Sequence, residues 1–168
     1  MGKILKGELT REEALGKAAA LCSGSEHCVS QVEEKLAAWG VSGSDAEEIV
    51  ARLVDEKFID NMRFARAYCH DRFLYSHWGR IKIRQMLRHL RLSDEDIEAG
   101  MAVISDEGYQ EALAEAIESK DRTLRDTDPY QRKAKLVRHL LSRGFEMDLA
   151  LSAVSRYLSK KSLQDFDD

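Results

Sequence analysis

The strongest constraint on this chain is that it repeats itself. The segment SQVEEKLAAWGVSGSDAEEIVARLVDEKF (30–58) matches, at a constant offset of 51, a segment that ends at Tyr109. The offset pairs Val32 with Ile83, Leu36 with Leu87, Val41 with Leu92, Ser42 with Ser93, Asp45 with Asp96, Leu53 with Ile104 and Phe58 with Tyr109. A weaker third copy follows at an offset of 53, where Leu136, Leu140 and Phe145 take the places of Ile83, Leu87 and Leu92. A unit of this length buries little apolar surface alone and gains by packing on its neighbours.

Each copy reads as three short helices. Thr10-Arg11-Glu12-Glu13 forms a capping box that opens the first helix. Ser25 is placed to cap a second helix ending at Gly40, and Ser44-Asp45-Ala46-Glu47 to open a third. Later helices are expected at roughly 60–74, 78–91, 94–105, 107–124, 129–143 and 147–159, with Thr127 and Asp128 capping a helix whose first residue is Pro129. The predicted fold is all-α: an elongated, curved array of three three-helix units, 1–57, 58–105 and 106–159, with a flexible polar tail at 160–168. Composition agrees, since Pro occurs once and Gly ten times in 168 residues, too few turn formers for an all-β chain.

Charge is distributed unevenly over these units. Residues 1–57 carry 7 basic and 11 acidic side chains, residues 58–91 carry 8 and 2, and residues 92–168 carry 11 and 17. A strongly basic segment therefore lies between acidic flanks in a chain of net charge −4. A polyanion responds to that local field more than to the sum.

The basic segment has a face. On a helix over 78–91, Arg80, Arg84, Arg88 and Arg91 fall within a strip of roughly 80°, apart from the apolar strip of Ile83, Met86, Leu87 and Leu90. Like charges four residues apart repel, and the helix carries no acid to relieve them. Such a surface suits phosphates or an acidic partner, because a guanidinium pairs bidentately with either. The competing reading is a solvated face, or a strip neutralised by Glu47, Glu48, Asp55 or Glu56 of the neighbouring unit. In the third copy, Arg132, Lys135, Arg138 and Arg143 echo the strip more weakly, whereas the first copy's second helix carries Glu26, Glu33, Glu34 and Lys35.

The stretch KFIDNMRFARAY (57–68) divides by direction. Phe58, Ile59, Met62 and Ala65 are spaced to pack inward, and Phe64 and Tyr68 are neighbours one turn apart. Asp60 is placed to cap the helix that follows. Arg63 is positioned to pair with Asp60, and Arg66 to join the basic surface.

Chemistry of other kinds is sparse. No GxxxxGK[ST], GxSxG or HExxH occurs, so no enzyme is expected and no cofactor. Cys22, Cys28 and Cys69 form no CxxC pair and read as reduced, packed thiols rather than metal ligands. Trp39 and Trp78 read as packing residues, and His77 and His89 as surface residues of the basic segment. No apolar run approaches bilayer length, no signal peptide opens the chain, and Lys6 stands where a myristoylation signal needs Ser or Thr. A cytoplasmic protein is expected.

Three groups of residues carry a family resemblance: Phe58-Ile59-Asp60 with Arg63-Phe64-Ala65, then Arg72 and Gly79 before Arg80-Ile81-Lys82-Ile83-Arg84-Gln85-Met86-Leu87, then LVRHLLSRGF at 136–145. This pattern resembles the RecX family, bacterial regulators of RecA recombinase. The chain departs from it at Arg80, where members often have Pro, and at Arg91, where many have Gly. The resemblance implies tandem three-helix units and a monomer that binds the groove of the RecA filament on single-stranded DNA, with double-stranded DNA as a further partner and no membrane. It implies modulation, usually inhibition, of recombinase and co-protease activity. Phe58, Asp60, Phe64, Ile83 and Leu87 would then be structural. Arg66, Arg72, Arg80, Lys82, Arg84, Arg88 and Arg91, with Lys133, Lys135, Arg138 and Arg143, would contact DNA or RecA. Two other readings stay open: an independent helix-turn-helix-like DNA-binding protein, and a helical scaffold for an acidic protein.

Overall fold

A computed structural model describes residues 9–164. Over that span the chain forms helices α1 (Arg11–Gly24), α2 (Val29–Ala38), α3 (Gly43–Asp55), α4 (Asn61–Leu74), α5 (Arg80–His89), α6 (Asp94–Met101), α7 (Asp106–Asp121), α8 (Pro129–Ser142) and α9 (Met147–Gln164), with no strand among the described residues. The all-α expectation and its three-helix periodicity hold.

The helix-start signals hold in part. Thr10 and Glu13 form the reciprocal capping box, Asp60 accepts the Arg63 amide at 3.0 Å, and Asp128 accepts the Tyr130 amide ahead of α8. Two other assignments move. Ser25 closes α1 instead of opening α2. The start of α2 is Cys28, whose amide donates to the Gln31 side chain, while the next amide donates to Asn61 at 2.9 Å. The third helix begins after Ser42, not Ser44. At the other end, α9 continues to Gln164, so Lys160–Gln164 are helical where a polar tail is expected; residues 165–168 lie outside the described residues.

The repeat is most exact at the end of each second helix. Gly40, Arg91 and Gly144 stand at equivalent positions and all are left-handed, with φ of 80°, 59° and 90°. Beyond each, an apolar residue turns back and its amide closes on the helix: Val41 to the Leu36 carbonyl, Leu92 to Leu87, Phe145 to Leu140. These are helix-terminating motifs in which a left-handed residue lets the chain reverse over the last turn. Val41, Leu92 and Phe145 are all buried.

The described chain packs as two compact units. One runs to Tyr68 and takes in Leu87–Gly100; the other holds Cys69–Met86 and everything from Met101 onward. Both α4 and α5 therefore contribute to each. The first unit's core is Ala14, Ala18, Val32, Leu36, Ile49, Leu53 and Ile59, supplied by α1–α3 and the turn after them. Gly100 in α6 has no room for a side chain, because a Cβ there would overlap the Ala65 backbone. In the second unit α7, α8 and α9 pack mutually around Leu113, Ile117, Leu136, Leu140 and Val154, and Tyr109 stacks between Phe73 and Phe145, with ring centroids 6.0 and 5.3 Å away.

Candidate functional site

The sequence places four arginines along α5 and its C-terminal end, and the structure gives them different surroundings. Ile83 and Leu87 are fully buried and fix which way the helix faces. With those positions inward, Arg80, Arg84 and Arg88 share another side of the helix, while Arg91 lies past its end, since α5 stops at His89 rather than at 91 and Arg91 is left-handed.

Arg80 is tied down. Its guanidinium lies 4.1 Å from the centre of the Tyr109 ring and pairs with Asp106 at 2.7 Å. Its amide donates to the Tyr109 hydroxyl, which itself donates to Glu146 at 2.5 Å. Burial and the hydrogen bond to Glu146 push the Tyr109 phenol well above its ordinary range. Arg84 is half-buried and lies near Cys69, whose thiol burial pushes up to about 12, with the Arg84 charge opposing the shift. A thiol so raised is a packing group rather than a nucleophile, and Cys28 is likewise fully buried.

Farther along, the helix opens to solvent. Arg88 is exposed and has no ion pair among the described residues. Arg91 pairs with Glu33 at 2.6 Å, but both side chains are largely exposed. Arg80 thus pairs with Asp106 and Arg91 with Glu33, whereas two of the acids expected from the sequence are engaged elsewhere: Glu48 pairs with Arg11 and Glu56 with Arg52.

The loop before α5 gathers two further cations. The Arg72 guanidinium and the Lys82 ammonium lie 5.0 and 4.4 Å from the centre of the Trp78 ring, so Trp78 is a packing platform for cations. Arg66, on α4, is exposed and without an ion pair among the described residues. Arg63 does not pair with Asp60. Its guanidinium reaches Glu26 at 2.6 Å and the carbonyls of Lys57 and Phe58, bracing the turn into α4. Phe64 and Tyr68 meet at 5.6 Å as their spacing predicts.

The third copy's cations separate by role. Lys135 is clamped on both oxygens of Asp126 at 2.9 Å. The Arg143 side chain donates to the Ser76 carbonyl and its own carbonyl accepts the Gly79 amide. Arg132 pairs at 2.5 Å with Asp121, which is 2% exposed and also accepts from Tyr157 and Lys161. Sequence reading passes over Asp121. The available signal is its place in the stripe Tyr109, Leu113, Ile117, Asp121, where an acid occupies the fourth apolar slot at four-residue spacing. Lys133 and Arg138 carry no ion pair among the described residues.

No described helix is long and apolar enough to cross a membrane.

Known proteins match this arrangement along most of the chain. Residues 60–101 match the family model for the RecX second three-helix domain, and residues 107–154 that for the RecX third three-helix domain. The regulatory protein RecX of Xanthomonas citri is 31% identical over 157 residues, covering 93% of this chain and 91% of that protein. RecX of Chlorobaculum tepidum is 28% identical over 152 residues, covering 90% of this chain and 92% of its own length. RecX of Leuconostoc mesenteroides is 29% identical over 161 residues, or 93% of this chain, which spans only 60% of that longer protein. The crystal structure of RecX from Lactobacillus salivarius superposes with a TM-score of 0.76 over 87% of this chain and 95% of that one, at 20% identity, and so supports the fold. With the motifs at 58–65, 79–87 and 136–145 and these matches together, the chain belongs to the RecX family of regulatory proteins.

Proposed function

We propose that this protein is a cytoplasmic, monomeric regulator of RecA. It binds the groove of the RecA filament on single-stranded DNA and inhibits ATP hydrolysis, strand exchange and co-protease activity. The observation that carries the reading is α5: a helix with three arginines on one strip, a fourth, Arg91, just past its C-terminal end, and no acid of its own, in a member of a regulatory family. A strip of one sign favours phosphate contacts over base readout, which needs a mixed polar face.

Within the strip, Arg88 is the first contact, since it is exposed and spends its charge on no described carboxylate. Arg91 is the second. Its pair with Glu33 is on the surface, and such pairs contribute only about 0–1 kcal/mol, so a phosphate can replace the carboxylate. Arg66 is a third contact on α4. Arg72, Lys82 and Arg80 serve the frame that presents them, with their charge still adding to the local field.

Binding of fluorescein-labelled protein to RecA filaments on oligo(dT), compared with oligo(dT) alone, tests this. The reading predicts tighter binding to the filament and a loss on Arg88→Glu. Equal binding to oligo(dT) with and without RecA, together with preference for a selected duplex sequence, would instead support an independent DNA-binding protein.

A further inference from the structure

One side of α8 lines an apolar groove that lies apart from the α5 strip. Tyr130, Ala134, Val137 and Leu141 are spaced 4-3-4 and line one side of a groove. That spacing is the seam of a helix that packs against another helix. Leu151 of α9 lines the other side. Val137 is a core residue and Ala134 and Leu141 are half-buried, but Tyr130 is 77% exposed and Leu151 41%. Core packing does not account for those two, and exposed apolar residues at the two sides of one groove mark an interaction site.

The flanks say what fits. Lys133 precedes one seam position and Arg138 follows another, so on a helical projection they lie on opposite sides of the seam. These are the positions that set partner choice where helices pair. Both are basic, and neither has an ion pair among the described residues, whereas Arg132 and Lys135 on the same helix are both paired.

We propose that this groove docks one amphipathic helix of a partner protein, apolar along its seam and acidic on both flanks. A second copy of this chain is a poor occupant, because pairing α8 with itself sets Lys133 and Arg138 against each other. A nucleic acid is also a poor one, because the groove floor is apolar and offers phosphates nothing.

The test titrates the full-length ¹⁵N-labelled protein with two synthetic helical peptides. Both carry Leu at the seam positions; one has Glu on the flanks and the other Lys. The Glu peptide should bind roughly tenfold more tightly, as two exposed charge pairs turn from repulsive to attractive, and amide shifts should map to Tyr130–Leu151. The double variant Lys133→Glu/Arg138→Glu should reverse the preference, and Leu151→Asp should weaken both peptides. The charge reversal is on the surface, so its readout survives if Leu151→Asp folds poorly. Equal binding of the two peptides, an unchanged preference in the double variant, shifts mapping elsewhere, or displacement of the peptide by oligo(dT) would overturn the proposal, as would self-association of the protein through this groove in sedimentation.

Discussion

Gly79 and Gly144 meet backbone to backbone. The Gly79 amide donates to the Arg143 carbonyl at 2.8 Å, and the Ile81 amide donates to the Gly144 carbonyl at 3.0 Å. A Cβ on Gly79 would overlap Gly144, and one on Gly144 would overlap Lys82. The start of α5 is thereby hydrogen-bonded to the end of α8. Gly79→Ala should destabilise the protein by about 2 kcal/mol, the usual cost of forcing extra volume into a filled contact. Gly16→Ala is the control: nothing lies near its absent side chain, it sits inside α1, and it should stabilise by about 0.5–1 kcal/mol. Urea denaturation of the two variants measures both.

Arg91 holds the left-handed position that Gly40 and Gly144 fill in the other copies. A side chain there carries a conformational cost of roughly 1 kcal/mol. Arg91→Gly should therefore raise the unfolding free energy measured in urea by about 1 kcal/mol, while weakening filament binding through the lost charge. The opposed signs separate a residue kept for contact from one kept for folding.

Asp121 gathers Arg132, Tyr157 and Lys161 around one buried carboxylate. Burial pushes its pKa up, but those hydrogen bonds outweigh it and hold the carboxyl at about 2, below the ordinary 3.8. Because the folded value is the depressed one, the stabilisation is fully present above about pH 4 and is lost as pH falls toward 2. Asp121→Asn should cost about 2 kcal/mol at neutral pH, since it strands partly buried cations. It should also remove this share of the acid-induced loss between pH 4 and 2, read by chemical denaturation at stepped pH.

Arg88, as a phosphate contact, predicts a change in salt dependence. Arg88→Ala should weaken binding to oligo(dT)-bound filaments and reduce the slope of log K against log salt by about 0.7, the value for one contact on a single strand. Anisotropy titrations across a salt series give that slope.

Residues that repeat, or that sit at fixed local spacing, are legible in the sequence. The 51- and 53-residue offsets bring out the turn-back residues Val41, Leu92 and Phe145, and the i, i+4 pair of Phe64 and Tyr68 meets as predicted. The cap positions of α2 and α3 were misplaced because several serines compete locally, and tertiary partners such as Asn61 decide among them. Which arginines are engaged was not legible at all. Arg80 with Asp106 and Arg91 with Glu33 are pairs 26 and 58 residues apart, and helical periodicity carries no information at that range. The Gly79–Gly144 contact was hidden for a related reason, since a glycine joins no hydrophobic pattern.

As proposed, this chain acts on RecA through the α5 strip. DNA-dependent ATP hydrolysis by RecA, with this protein added at substoichiometric amounts, tests it most directly. The wild-type protein should inhibit, and Arg88→Glu/Arg91→Glu of matched stability should inhibit much less. An unchanged effect in the double variant would move the site off α5, and no effect of the wild-type protein on RecA would contradict the account.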